Sequence, residues 1–266
     1  MSELTKRIII AIPLAALVLY VTWLGEFYFK ILVGAIALIT VWEIHRMMRQ
    51  AGRPGYFEAS VLIACSIWSA LFLPRMVTLV LTSLILIITL ISLIKRGSEY
   101  SERWLSSLFT GVYAPVGFLM IVHLRDLGNS VDGFWLTITL FLMIWGNDIF
   151  AFIGGKTFGK RPLAPVLSPK KTWEGFYWGF FGASAGYLIV YFAAVTYPLP
   201  LWAIIPSVLI ISLLGPLGDI TASSLKRKAG VKDSSAILPG HGGLFDRFDS
   251  MILSAPFLYF CFILLI

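Results

Sequence analysis

Charge is scarce in this sequence. Charged residues make up 13% of 266, against about 25% in soluble domains. Acids are the scarcer sign, with 14 Asp and Glu against 21 Lys and Arg. So little charge cannot cover a water-soluble domain of this length. With 58% hydrophobic residues and a mean hydropathy of +0.87, the composition points to a polytopic membrane protein with little soluble mass. Cysteine is nearly absent. Cys65 and Cys261 both lie inside apolar runs, which excludes a disulfide framework and a CxxC site. No internal repeat is visible. The net charge of +7 does not imply nucleic acid, because cytoplasmic loops of membrane proteins collect Lys and Arg.

What the chain does have is long apolar stretches. A crossing helix needs about 20 apolar residues. Nine runs qualify, at about 8–24, 27–47, 57–74, 76–94, 104–124, 133–155, 172–195, 200–225 and 247–266. The expected fold is therefore all-α, a polytopic integral membrane protein of about nine transmembrane helices. Residues 1–130 would be N-terminal scaffold helices, and 131–266 the helices that carry the chemistry. Lys6-Arg7 before Ile8 looks like the start of a signal peptide, but the run to Leu24 is too long for one, so it reads as an uncleaved first span. All but Lys30, Arg75 and Arg125 of the 21 cations fall on the side that holds the N-terminus. That imbalance predicts a cytoplasmic N-terminus and an external C-terminus.

One stretch, Gly218 to Asp249, packs unusual charge between two apolar runs. It holds Asp219, Asp233, Asp246 and Asp249 together with Lys226, Arg227, Lys228, Lys232 and Arg247. Charge at this depth is costly unless it is functional. Asp219, Ser223 and Lys226/Arg227 share one helix face by their spacing, and Asp246 and Asp249 share another. Carboxylates on neighbouring helices can hold Mg²⁺ and bridge it to phosphates. The bland alternative pairs Asp219 with Lys226 or Arg247. Asp249 and Asp233 also fit a helix start or a loop charge. The turn Gly240-His241-Gly242-Gly243 can bring backbone N–H groups to a phosphate, or it can be an ordinary tight turn. Lys226, Arg227, Lys232 and Arg247 are candidates to neutralise a polyphosphate, whereas Lys228 reads as a topology charge.

Three further places matter. Ser168-Pro169-Lys170-Lys171-Thr172 precedes the seventh run, with Ser168 as an N-cap and Pro169 in the first turn. Lys170 and Glu174 stand four apart, the spacing of a surface ion pair. Asn147-Asp148 lies in an apolar helix, where polar neighbours are expensive. Glu43 and His45 end the second run and read as interfacial. Gly154-Gly-Lys-Thr157 mimics a phosphate loop but has Phe150 where that motif needs Gly, and it is rejected.

These motifs carry a resemblance. Ser223-Ser-Leu-Lys-Arg227, Lys232-Asp233 and Leu238-Pro-Gly-His-Gly-Gly-Leu-Phe-Asp-Arg-Phe-Asp249 resemble the C-terminal signature of phosphatidate cytidylyltransferases. Ser168-Pro-Lys-Lys-Thr-Trp-Glu-Gly175, Asn147-Asp148 and Phe158-Gly-Lys160 resemble the same family, over about the last 120 residues. The first half resembles it only in being hydrophobic. The resemblance implies transfer of the cytidylyl group of CTP to phosphatidic acid, giving CDP-diacylglycerol and pyrophosphate. It implies a bacterial inner (cell) membrane protein with a cytoplasmic site, Mg²⁺ with or without a second cation, no nucleic-acid partner and a homodimer. Asp219, Asp246, Lys226, Arg227 and Lys171 become the expected catalytic groups. Asp219, Asp246, Asp249 and Glu174 become the expected metal ligands. Asn147, Asp148, Ser168, Lys170, Thr172, Ser223, Lys232, His241, Gly242, Gly243 and Arg247 become the expected substrate contacts, His241 toward a phosphate or the cytidine. The chain departs from the family at Ala222, commonly Glu, and Phe152, commonly Tyr. A nucleotide-dependent polyprenol-type lipid kinase is the rival enzyme. An ion-coupled transporter is a weaker rival, since its repeats and midplane sites are not visible.

Overall fold

The structure, a computed structural model, describes residues 3–95, 97–240 and 242–266. Among these it has nine α-helices: α1 (Glu3–Leu24), α2 (Glu26–Gln50), α3 (Phe57–Trp68), α4 (Arg75–Lys95), α5 (Gly97–Arg125), α6 (Ser130–Phe158), α7 (Trp173–Ala193), α8 (Ile204–Lys228) and α9 (Phe245–Ile263). Each overlaps one of the nine apolar runs, whose ends are set by Gly, Pro and charge. Among the described residues, α2, α5, α6, α7 and the stretch Leu201–Lys228 are long and apolar enough to cross a membrane; Ile12–Leu24, Phe57–Leu71 and Arg75–Ile91 are shorter apolar helices.

The expectation of an all-α chain needs one correction. Strands β1 (Pro162–Ala164) and β2 (Ser168–Thr172) form an antiparallel hairpin between α6 and α7. Ser168 is therefore not a helix N-cap, and Pro169 is not in a helical turn. The Trp173 N–H bonds to the Arg161 carbonyl at 2.9 Å, which keeps the backbone extended up to the helix start. Thr172 is the cap, its Oγ1 accepting the Gly175 N–H at 3.2 Å.

Large side chains divide by solvent as a bilayer protein requires. Phe29, Phe118, Leu136, Leu140, Tyr187, Phe245 and Phe262 are buried between helices, while Leu79, Leu84, Ile88 and Ile91 of α4 point outward. Exposed apolar area on this scale is a liability in water and normal against lipid. Two close helix crossings then position the polar residues. Gly146 of α6 meets Gly182 of α7 so tightly that a Cβ on either would strike the other's carbonyl, the small-residue packing of membrane helices. Gly218 of α8 likewise lies on the backbone of Asp249 and Ser250 in α9, which brings Asp219 beside Asp249. At the cation-poor end two of the three cations are tied up. Lys30 pairs with Asp126 at 2.9 Å, and buried Arg125 donates to the carbonyls of Thr22 and Ser130 at 2.8 and 2.9 Å.

Candidate active site

Two cavities lie side by side where α6, α7, α8 and α9 meet, and Asp148 and Asp219 line both. The first, about 520 Å³, adds Asp233, Asp246, Asp249, Lys226 and Arg247, with Leu14, Ala15 and Val18 of α1 on its apolar side. The second, about 460 Å³, is rimmed by Lys156, Lys170 and Lys171, with Ala151, Phe152 and Phe176 on its apolar wall. Both are large enough for a small-molecule site, which takes about 300 Å³ or more.

The helix crossings explain the acidic wall. Asp148 follows Asn147, which is buried and donates from Nδ2 to Ser212 Oγ at 3.1 Å. That bond fixes the register of α6 against α8. Asp219 accepts from Ser223 Oγ at 3.4 Å and forms an ion pair with Lys171. The alternative in which Asp219 pairs with a cation is thus met, by Lys171 of the hairpin rather than Lys226 or Arg247. Asp249 is 8% exposed, and its Oδ1 accepts the Ser250 N–H at 2.7 Å.

Asp246 is engaged differently. Its Oδ1 takes Lys226 Nζ at 2.5 Å. Its Oδ2 takes the Ser234 N–H, the Ser234 hydroxyl and the Gly243 N–H at 2.8, 2.9 and 3.0 Å. Both oxygens therefore have protein donors, and Asp246 fastens Ser234 and Gly243 to Lys226. This also redirects the glycine turn, because the Gly243 N–H, expected to face a phosphate, is bonded to Asp246. Gly242 has φ +81°, and a Cβ there would stand 2.7 Å from Asp246 Oδ2. Only glycine satisfies both the backbone and the space.

Among the described residues no three Asp, Glu, His or Cys side chains close into a metal cage. Mg²⁺ does not need one. It binds through one or two carboxylates and keeps waters and substrate phosphates in the remaining positions. The hard oxygens of Asp148, Asp219 and Asp249 facing one cavity suit such an ion, and gathering these like charges is costly without a cation.

Other expected residues stand apart. Glu174 does not reach the acidic wall; its carboxylate accepts the N–H groups of Lys160 and Arg161 at 3.0 and 3.3 Å and steadies the hairpin. Arg227 donates to the Val231 carbonyl at 3.4 Å, and Arg227, Lys232 and Ser168 line neither cavity. Thr172 and Lys170 line the lysine-rimmed one. His241 lies outside the described residues. Gly154-Gly-Lys-Thr157 is helical within α6, so it cannot form a phosphate loop. Of the two departures, Phe152 lines the lysine-rimmed cavity, while Ala222 is fully buried and lines neither.

The sequence reading missed Glu43. It was expected at the interface and is instead 0% exposed, with four donors. Ser235 Oγ and Ser234 Oγ reach it at 2.5 and 3.2 Å, and the N–H groups of Leu244 and Phe245 at 3.0 and 2.6 Å. An acid in an apolar helix was the available signal. Its partners lie 191 to 202 residues away, beyond any local pattern.

The comparisons with known proteins agree with these motifs and extend them. The profile of the cytidylyltransferase family matches residues 5–265, so the likeness is not confined to the last 120 residues. The phosphatidate cytidylyltransferase of Bacillus subtilis is 33% identical over 270 residues, covering 98% of each chain. That of Brucella abortus is 35% identical over 263 residues, covering 97% of this chain and 93% of its own. That of Staphylococcus aureus is 41% identical over 152 residues, covering 57% of this chain and 56% of its own. With a match that runs from α1 to α9, this chain belongs to the cytidylyltransferase family.

Proposed function

We propose that this chain transfers the cytidylyl group of CTP to phosphatidic acid, giving CDP-diacylglycerol and pyrophosphate in phospholipid biosynthesis. Family membership supports the reaction class. The observation that carries the geometry is the pair of cavities sharing Asp148 and Asp219. The acidic cavity, with Lys226 and Arg247, suits the triphosphate. The neighbouring one offers three lysines over an apolar wall, which suits an anionic headgroup whose acyl chains remain in lipid. The reacting groups would meet at the shared wall.

The chemistry asks little of the chain beyond positioning. A phosphate oxygen of phosphatidate is already an anion and attacks the α-phosphorus of CTP. A new P–O bond forms, the bond between the α-phosphorus and the bridging oxygen breaks, and pyrophosphate leaves with that electron pair. Lys171 and Lys170 would screen and orient the attacking phosphate, and Lys226 and Arg247 the departing charge. One or two carboxylates of the wall formed by Asp148, Asp219 and Asp249 would hold Mg²⁺, with or without a second cation, which would supply charge neutralisation and a template for the phosphates. No nucleophilic side chain is required.

The same reading includes nine crossings, a cytoplasmic N-terminus and site, an external C-terminus and the bacterial cell membrane. The unequal distribution of cations supports the orientation. A homodimer is part of the proposal through family likeness. Purified protein given phosphatidate and CTP labelled at the α- or the γ-phosphorus tests the reaction. Alpha label should move into lipid and gamma label into pyrophosphate. Gamma label in the lipid would instead identify a kinase.

A further inference from the structure

We infer that Glu43 of α2 is a positioning residue for the nucleotide side of the site, acting through Ser234, Ser235 and the start of α9. This rests on the reaction proposed above, and it concerns a residue none of the motifs contains. The first argument is capping. The N-cap position of α9 is Leu244, which has no side-chain acceptor, so the first N–H groups of that helix need one from elsewhere. Glu43 supplies it across the fold, accepting from Leu244 and Phe245 at 3.0 and 2.6 Å. A negative carboxylate at a helix N-terminus is also favoured by the helix dipole.

The second argument is connection. Ser234 Oγ lies 3.2 Å from Glu43 Oε2 and 2.9 Å from Asp246 Oδ2. It has one proton to give to two carboxylates, so the two acids are coupled through it. Asp246 in turn fixes Lys226. Ser235 adds a second loop contact to Glu43 at 2.5 Å. A Cβ on Gly243 would collide with the Glu43 carboxylate and the Ser234 hydroxyl, so the last glycine of the turn provides room for this clamp. Glu43 itself lines neither cavity. It holds Asp246, Lys226 and Arg247 where the triphosphate would lie.

Glu43→Gln and Ser235→Ala test this in detergent-purified protein. Gln keeps the shape but turns an amide donor toward groups that already donate. We expect trypsin cleavage after exposed Lys232 to accelerate on the order of tenfold, the effect of one charge-assisted hydrogen bond, with cleavage after Lys160 unchanged. We expect KM for CTP to rise by a similar factor and KM for phosphatidate to hold within about twofold. Ser235→Ala should act in the same direction more weakly, and it decides the matter alone if Glu43→Gln does not fold. A purely stabilising role would lower the active fraction, reducing Vmax and leaving both KM values unchanged. That result, or unchanged cleavage at Lys232, overturns the inference. Faster cleavage at Lys232 in a protein whose wild type transfers no cytidylyl group would refute the reaction and leave the clamp standing.

Discussion

Replacing Asp246 by Asn breaks the most enclosed ion pair of the site. Lys226 Nζ and Asp246 Oδ1 are 2.5 Å apart, with side chains 14% and 3% exposed. In the variant the amide oxygen can still serve the Ser234 and Gly243 donors, but the NH₂ group then faces the Lys226 ammonium, donor against donor. Breaking a buried pair from one side costs about 3–5 kcal/mol. Lys226 can swing partly into the cavity, so the lower end, about 3 kcal/mol, is expected. Removing both charges is milder because no unpaired ion remains. Asp246→Asn, Lys226→Met and the double variant therefore form a cycle, with unfolding followed in mixed micelles under one condition. The double variant should be more stable than the sum of the single effects by roughly 0.5–3 kcal/mol. Turnover should stay low in all three, because the proposed role of Lys226 on the triphosphate needs both the lysine and the carboxylate that positions it. Additive stability effects, or recovered turnover in the double variant, would refute this reading of the pair.

Three further outcomes follow from the geometry. Lys171→Ala removes the proposed headgroup contact and the partner of Asp219, so it should lower kcat/KM for phosphatidate about tenfold or more, whereas Lys228→Ala should do little; equal effects would reduce Lys171 to a topology charge. Single cysteines at positions 2 and 266, in a background lacking Cys65 and Cys261, should label from opposite sides of the membrane, and labelling from one side would remove a crossing. A chiral α-thio analogue of CTP should give a lipid product with inverted phosphorus, as direct in-line attack requires; retention would demand a covalent intermediate.

Much of this was legible in the sequence because lipid imposes simple rules. Helix positions followed from apolar length, since every backbone polar group in a bilayer must be bonded within its own segment. The aspartates of α6, α8 and α9 stood out because charge at that depth is expensive. The hairpin did not stand out. Its eleven residues, Pro162–Thr172, mix proline and lysine without alternation, and Ser168-Pro169 imitates a helix start. Glu174 looked like a ligand because it begins an apolar run, yet it serves the backbone of Lys160 and Arg161. Asp246 looked like an open ligand, and only its contacts to Ser234, twelve residues earlier, and to Lys226 of α8, twenty residues earlier, show both oxygens engaged. Glu43 escaped because a single acid near the end of an apolar run resembles an interfacial charge, and burial is not a local property.

Asp219 belongs to both cavities and touches Lys171, so its charge tests the shared wall most directly. The decisive measurement is turnover of CTP and phosphatidate by purified Asp219→Asn across a range of Mg²⁺ concentrations, with unfolding measured alongside. A loss of about 10²–10³-fold, the usual effect of removing one electrostatic stabiliser of a transition state, with the folded protein intact, is the expected result. Near-wild-type turnover at any Mg²⁺ concentration would contradict a catalytic role for the wall on which the two cavities meet.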